Sequence, residues 1–146
     1  MDRYFYRWAW LCNLNERMIK MADLGTVVIT EETFNKIKKV SFAWTSVNGG
    51  GDAGKATKTT ENVYTGEIIR LVTVPSGAAA PTAAYDVVVN DEDSTDVLMS
   101  AGIDRHETNT EQVLASSLGC VANDKLTLNV TNAGNAKAGT VHLYIK

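Results

Sequence analysis

From Thr26 onward the chain runs in short stretches that alternate apolar and polar residues, the period of a half-buried β-strand. Val40–Val47 sets Val40, Phe42 and Trp44 against Ser41, Ala43 and Thr45. Lys125–Thr131 sets Leu126, Leu128 and Val130 against Thr127, Asn129 and Thr131, and Thr140–Ile145 sets Val141, Leu143 and Ile145 against His142 and Tyr144. Thr26–Thr30 is β-branched throughout, and Glu67–Val74 is a longer apolar run closed by Pro75. Tyr85–Asn90 and Asp96–Met99 flank the acidic stretch Asp91–Ser94 and predict a hairpin. Lys55–Tyr64, polar and rich in Thr, predicts an exposed edge strand or a long loop. Thr108–Ala115 is ambiguous: Val113, Leu114, Leu118 and Val121 have a weak helical spacing, but the Thr content and Gly119 favour extended chain. One helical turn is expected over Thr30–Lys36, with Thr30 as N-cap and Glu31 and Glu32 in its first turn. Asn48–Gly54, Ser76–Ala84 and Asn132–Ala138 supply the connections.

About seven or eight short strands with no long amphipathic helix predict an all-β domain. The expected architecture is an antiparallel β-sandwich, jelly-roll-like, with an immunoglobulin-like sandwich as the alternative. The expected core is Val28, Phe42, Trp44, Ile69, Leu71, Val87, Val89, Leu98, Leu126, Leu128, Val130, Val141, Leu143 and Ile145.

Composition changes this picture mainly at the N-terminus. The chain has 146 residues, 45% hydrophobic and 21% charged, with two Pro and two Cys. That excludes a disordered tail and a disulfide-built mini-protein. The net charge of −3 excludes a generally basic nucleic-acid surface, so no nucleic-acid partner is expected. Five of the eleven aromatic residues (Tyr4, Phe5, Tyr6, Trp8, Trp10) lie in the first ten positions. Residues 1–20 carry four basic and two acidic residues, and the other 126 carry ten basic and fifteen acidic. The apolar run Trp8–Cys12 is far too short to cross a bilayer, and no small-residue cleavage site follows it. No membrane partner is expected. Met18 and Met21 offer internal starts, so residues 1–20 are expected to be a non-core extension and 21–146 the β-sandwich domain.

Several constellations invite chemistry. Gly49–Ala56 nearly matches a phosphate-binding loop with Lys55 as its cation, but Ala56 replaces the required hydroxyl and no helix follows. A flexible glycine connection is expected instead. Asp91, Asp93 and Asp96, beside Glu92, are the metal-ligand candidates. They lack the glycine and terminal glutamate of an EF-hand loop, so a solvated acidic tip is expected. His106 and His142 have no zinc-type spacing, and His142 is placed on an outer strand face. Cys120 reads as a small core filler, and a reduced environment is expected for both cysteines. Ser116, Ser117, His106 and Asp104 supply the residue types of a triad, but no G-x-S-x-G elbow frames either serine. Tyr64, Tyr85 and Tyr144 are the residues left for stacking on a sugar. No cofactor is expected, and the chain reads as non-enzymatic.

The runs GEIIRLVTVP (66–75), YDVVVNDEDSTDVLM (85–99) and TEQVLASSLGCVANDKLTLNVTNAGNAKAGTVHLYIK (110–146) resemble small all-β virion proteins of tailed bacteriophages, of the capsid decoration or cement type. The likeness covers about 21–146, and residues 1–20 depart from it. It implies a structural protein on the outer surface of the head, bound to the lattice of the major capsid protein and often trimeric. It implies a place on the capsid surface in the virion and in the host cytoplasm during assembly. It carries over no catalytic residue. The alternative function is a receptor- or carbohydrate-binding β module of a tail or fibre.

Overall fold

A computed structural model describes residues 24–146, so the expectation for residues 1–20 lies outside the described residues. Nine strands follow in order: β1 Thr26–Phe34, β2 Ile37–Thr45, β3 Ala56–Thr59, β4 Tyr64–Pro75, β5 Asp86–Asn90, β6 Glu111–Leu114, β7 Cys120–Asp124, β8 Thr127–Thr131 and β9 Ala138–Ile145. A single 3-10 turn, Ala115–Ser117, interrupts them among the described residues. The larger sheet has the order β1-β2-β9-β4-β6, with β7 also paired to β4, and the smaller has the order β3-β8-β5. Every pairing is antiparallel. No described helix is long and apolar enough to cross a membrane.

Four of the pairings nest around one point. Phe42 pairs with Val141, Thr57 with Asn129, Leu71 with Val113, and Asn90 with Asp96. In each pair the two residues lie nearly equidistant from Asp93 along the chain. The domain is therefore one long hairpin, tipped at Asp91–Ser94, that rolls over so that β4 also meets β9 and β5 also meets β8. Such a rolled ribbon is a jelly-roll-like sandwich, and the immunoglobulin-like alternative falls away. β6, the 3-10 turn and β7 together act as one interrupted strand along β4.

The inner faces close on a filled core. Val40, Phe42, Ile68, Val87, Val89, Leu98, Leu126, Leu128, Val130, Val141 and Leu143 are all fully buried. Two expected core positions are shifted by one residue. On β1 the register Val27↔Trp44 turns Val27 inward and leaves Val28 56% exposed. On β4 the register slips between Ile68 and Arg70, so Ile68 and Leu71 both face inward and Ile69 does not. A bulge of this kind breaks the two-residue period on which the expectation rested.

Three further expectations are corrected. Thr30–Lys36 is no helical turn: β1 continues to Phe34 and pairs with Ile37 across a two-residue turn at Asn35–Lys36. Nine paired residues outweigh a local N-cap preference. The second arm of the predicted Tyr85–Met99 hairpin is irregular, with bridges only at Asn90↔Asp96 and Tyr85↔Arg105. Cys120 is exposed on β7, while its neighbour Val121 is buried. Lys55–Tyr64 contains β3, which is the edge strand expected there.

Candidate functional site

The metal candidates do not converge. Asp91 Oδ1 accepts the backbone N–H groups of Asp93 (3.0 Å) and Thr95 (2.8 Å), which shapes the tip of the long hairpin. Asp96 Oδ1 accepts the N–H of Leu98 (2.9 Å) and, at longer range, that of Val89 (3.4 Å). Its Oδ2 accepts the N–H of Ser100 (2.8 Å). Asp93 contributes only its backbone N–H to this arrangement. Among the described residues no group of three or more His, Cys, Asp or Glu side chains is placed to hold a metal.

The glycine-rich stretch has a structural job. Gly54 sits at φ +78, a backbone conformation that favours glycine. Its N–H donates to Val47 and its carbonyl accepts from Ala133, so it ties the β2–β3 connection to the β8–β9 connection. A Cβ there would lie 2.9 Å from the backbone nitrogen of Gly134. The Lys55 ammonium is paired to Asp52 at 2.9 Å. Within this stretch Lys55 is thus already paired, and a strand, β3, rather than a helix follows it.

The triad residue types are also dispersed. His106 Nδ1 accepts backbone N–H groups from Thr108 and Asn109, both at 3.1 Å, and so folds its own turn. Ser116 and Ser117 lie exposed in the 3-10 turn. The backbone N–H of Asp104 donates to Asp86. Of the three tyrosines, Tyr85 is 1% exposed and Tyr64 3%, so neither can present a ring to a sugar. The Tyr144 ring is covered by Arg70, whose guanidinium carbon lies 5.3 Å from the ring centroid.

A polar cluster closes the open end of the sandwich beside β1. The Tyr64 hydroxyl donates to Glu31 Oε1, Asn62 Nδ2 donates to the same oxygen at 3.0 Å, and Lys38 Nζ lies 3.7 Å from Glu31 Oε2. Burial raises the Tyr64 phenol, and the Glu31 hydrogen bond and charge raise it further. Partial burial alone would raise Glu31, but the hydrogen bonds from Tyr64 and Asn62 and the Lys38 charge outweigh it. The carboxyl ends below its ordinary value of 4.5. A depressed carboxyl stabilises the fold above its unfolded pKa, and that contribution is lost as pH falls through the folded value. A Glu31→Gln variant is therefore expected to be less stable than the parent at about pH 7, and the gap is expected to close below about pH 4. Urea midpoints at the two pH values check this, and a gap that widens in acid would contradict it. Glu31 also points inward from a free sheet edge, a placement that discourages strand addition by another chain. The cleft beside it, about 380 Å³, is lined by Ile29, Glu31, Lys58, Thr59, Glu61 and Asn62.

A second surface among the described residues is the outer face of the larger sheet. Strand register arranges its side chains in rows. One row runs Glu32, Lys39, Tyr144, Arg70, Leu114, and the next runs Thr30, Ser41, His142, Val72, Gln112. A third runs Val28, Ala43, Thr140, Val74. In the second row Ser41 Oγ and His142 Nδ1 are 2.7 Å apart. His142 lies on the outer strand face, as expected. Burial lowers its pKa, and the nearby positive charges of Lys39 and Arg70 lower it further, against the opposing charge of Glu32. In the first row Arg70 Nε donates to Gln112 Oε1 at 3.0 Å while its plane covers Tyr144. At the third row lies a shallow depression of about 430 Å³, whose lining includes Val28, Ala43, Thr45, Val74, Pro75 and Thr140. The Ser41–His142 and Arg70–Tyr144 pairs join residues far apart in sequence. Only the alternation of β9 hinted at them, by putting His142 and Tyr144 on one face.

No protein-family model matches the chain, and no curated protein matches it. Among solved structures it is similar to a low-affinity xylan-binding module, CBM86, from the gut symbiont Roseburia intestinalis. That match has 9% identity and a TM-score of 0.43 over 85% of this chain and 87% of that one. It is also similar to a cupin domain from Bordetella pertussis Tohama I, with 17% identity and a TM-score of 0.30 over 87% of this chain and 99% of that one. Likenesses at these scores bear on neither ligand nor partner. Its own strand order and nested pairings make the chain a jelly-roll-like antiparallel β-sandwich.

Proposed function

We propose that the chain is a non-enzymatic virion protein of a tailed bacteriophage that decorates the outer surface of the head and binds the lattice of the major capsid protein. The observation that carries this reading is the outer face of the larger sheet. Among the described residues it sets small side chains (Thr30, Ser41, Ala43, Thr140) among larger polar and aliphatic ones, with a shallow depression beside Val28 and Val74. A surface of that shape suits another protein surface better than a small ligand. The inner faces support the reading, since between the sheets they carry fully buried aliphatic and aromatic side chains packed on one another. A lattice offers many equivalent positions, so modest contacts repeated around a homo-oligomer, a trimer in this reading, would hold through avidity. A sugar-binding tail module has less support, because Tyr64 and Tyr85 are buried and Tyr144 is capped.

Quantitative mass spectrometry of purified virions tests the proposal. On the order of hundreds of copies per particle are expected for a part that repeats with the lattice. Virions lacking the protein are expected to lose resistance to heat. A handful of copies, or equal resistance with and without the protein, would overturn the reading.

A further inference from the structure

We propose that the outer face of the larger sheet is the docking surface for the capsid lattice, with Arg70 beside its β6 edge facing a carboxylate of the capsid protein. This inference rests on the decoration reading above. Arg70 is held before any partner arrives: its guanidinium lies over Tyr144 and its Nε is bonded to Gln112. Among the described residues no carboxylate pairs with it. Arg105 shows the contrast. Its Nε and Nη2 are spent on the Ile103 carbonyl, and Glu111 lies 3.7 Å from its Nη1. An arginine already fixed, with terminal nitrogens unspent, loses little freedom when it grips a planar acid. Arginine and tyrosine are also the residue types that most often dominate protein interfaces.

The surroundings fit a protein partner. Leu114, 65% exposed, adjoins Arg70 in the same row, and Val28 stands at the opposite edge of the face. The depression between Val28 and Val74–Pro75 can take one aliphatic side chain. Lys39 adds positive charge, partly answered by Glu32 at 3.4 Å. With Lys39 answered by Glu32, Arg70 leaves these rows one positive charge in excess, which calls for an anionic partner. Glu32 is the one carboxylate in these rows and is already paired with Lys39, so the same face of a second copy offers Arg70 no unpaired acid.

Co-sedimentation with decoration-free heads of the encoding phage tests the assignment. The full chain is expected to bind. Arg70→Glu is expected to weaken binding at least about 30-fold, as loss of a dominant contact does. Arg70→Lys should retain part of the affinity, and Ala43→Asp should weaken binding by filling the depression with charge. Lys125→Glu, in the β7–β8 connection, should bind like the parent. Unchanged thermal melting shows that each variant is folded. A folded Arg70→Glu chain that binds heads as tightly as the parent would overturn this inference and leave the decoration reading standing. A parent chain that fails to bind heads would overturn both. An Arg70→Glu chain that loses self-association but binds heads equally per subunit would assign the face to a second copy and overturn the proposal.

Discussion

Replacing Trp44 with alanine is expected to destabilise the fold by about 3–5 kcal/mol, the usual cost of emptying an aromatic site in a packed core. Trp44 is 2% exposed and packs on Tyr85, with ring centroids 5.7 Å apart and planes tilted by 46°. Its site is shaped from below by Gly139 on β9. A Cβ on that residue would lie 2.8 Å from Trp44 Cζ2 and 3.0 Å from the Val74 carbonyl oxygen. Gly139→Ala is therefore expected to cost about 1–3 kcal/mol by overpacking the same site from the other side. The indole Nε1 has no hydrogen-bond partner among the described residues. Trp44→Phe removes that orphan donor and keeps most of the ring, so it should cost clearly less than Trp44→Ala. Urea unfolding at constant m-value checks all three substitutions. A Trp44→Ala chain within about 1 kcal/mol of the parent would contradict the packing described for β2 and β9.

Asp96→Ala is expected to cost about 2–3 kcal/mol, with no metal involved. The free edge of β5 faces a segment that is not a regular strand. The Val87 N–H finds the Gly102 carbonyl, and the Val89 carbonyl accepts from Val97. The Val89 N–H has only the Asp96 carboxylate, which also receives the N–H groups of Leu98 and Ser100. Removing the carboxylate strands three backbone donors, one of them on a core strand. Asp96→Asn keeps one acceptor oxygen but turns an N–H2 group toward the remaining donors, so it should recover only part of the loss. The parent's urea midpoint should be the same with and without a chelator. A chelator effect as large as that of Asp96→Ala would mean that the acidic residues serve a metal after all.

Much of the strand layout was legible because alternation over β2, β8 and β9 leaves only one face apolar, and the chain must bury that face. Legibility failed where alternation itself fails. In Thr26–Thr30 every residue is β-branched, so the run has no parity, and only the Val27↔Trp44 register turns Val27 inward and Val28 outward. In β4 the bulge at Ile69 resets the phase, so Ile68 replaces Ile69 in the core while Leu71 stays. Asp96 drew notice as a possible ligand because carboxylates look alike in sequence whether they face a metal or a row of backbone N–H groups. The glycine loop is a connection, as a glycine run with no helix after it predicts, while its bond to Ala133 depends on the fold.

The candidate docking face was the least legible part. Arg70 and Gln112 are 42 positions apart, and Ser41 and His142 are 101 apart. By itself the sequence determined that the chain is all-β, where most strands lie, and which alternate residues of β2, β8 and β9 go inside. Those facts follow from local periodicity and the cost of exposing apolar side chains. Only the tertiary structure decided the nesting of β2–β9, β3–β8 and β4–β6 around Asp93, the parity of β1 and β4, and the row that sets Arg70 between Tyr144 and Leu114. Alternation tells a side chain which face to take. Its neighbours on that face are chosen by pairings between distant strands, which the local pattern does not encode.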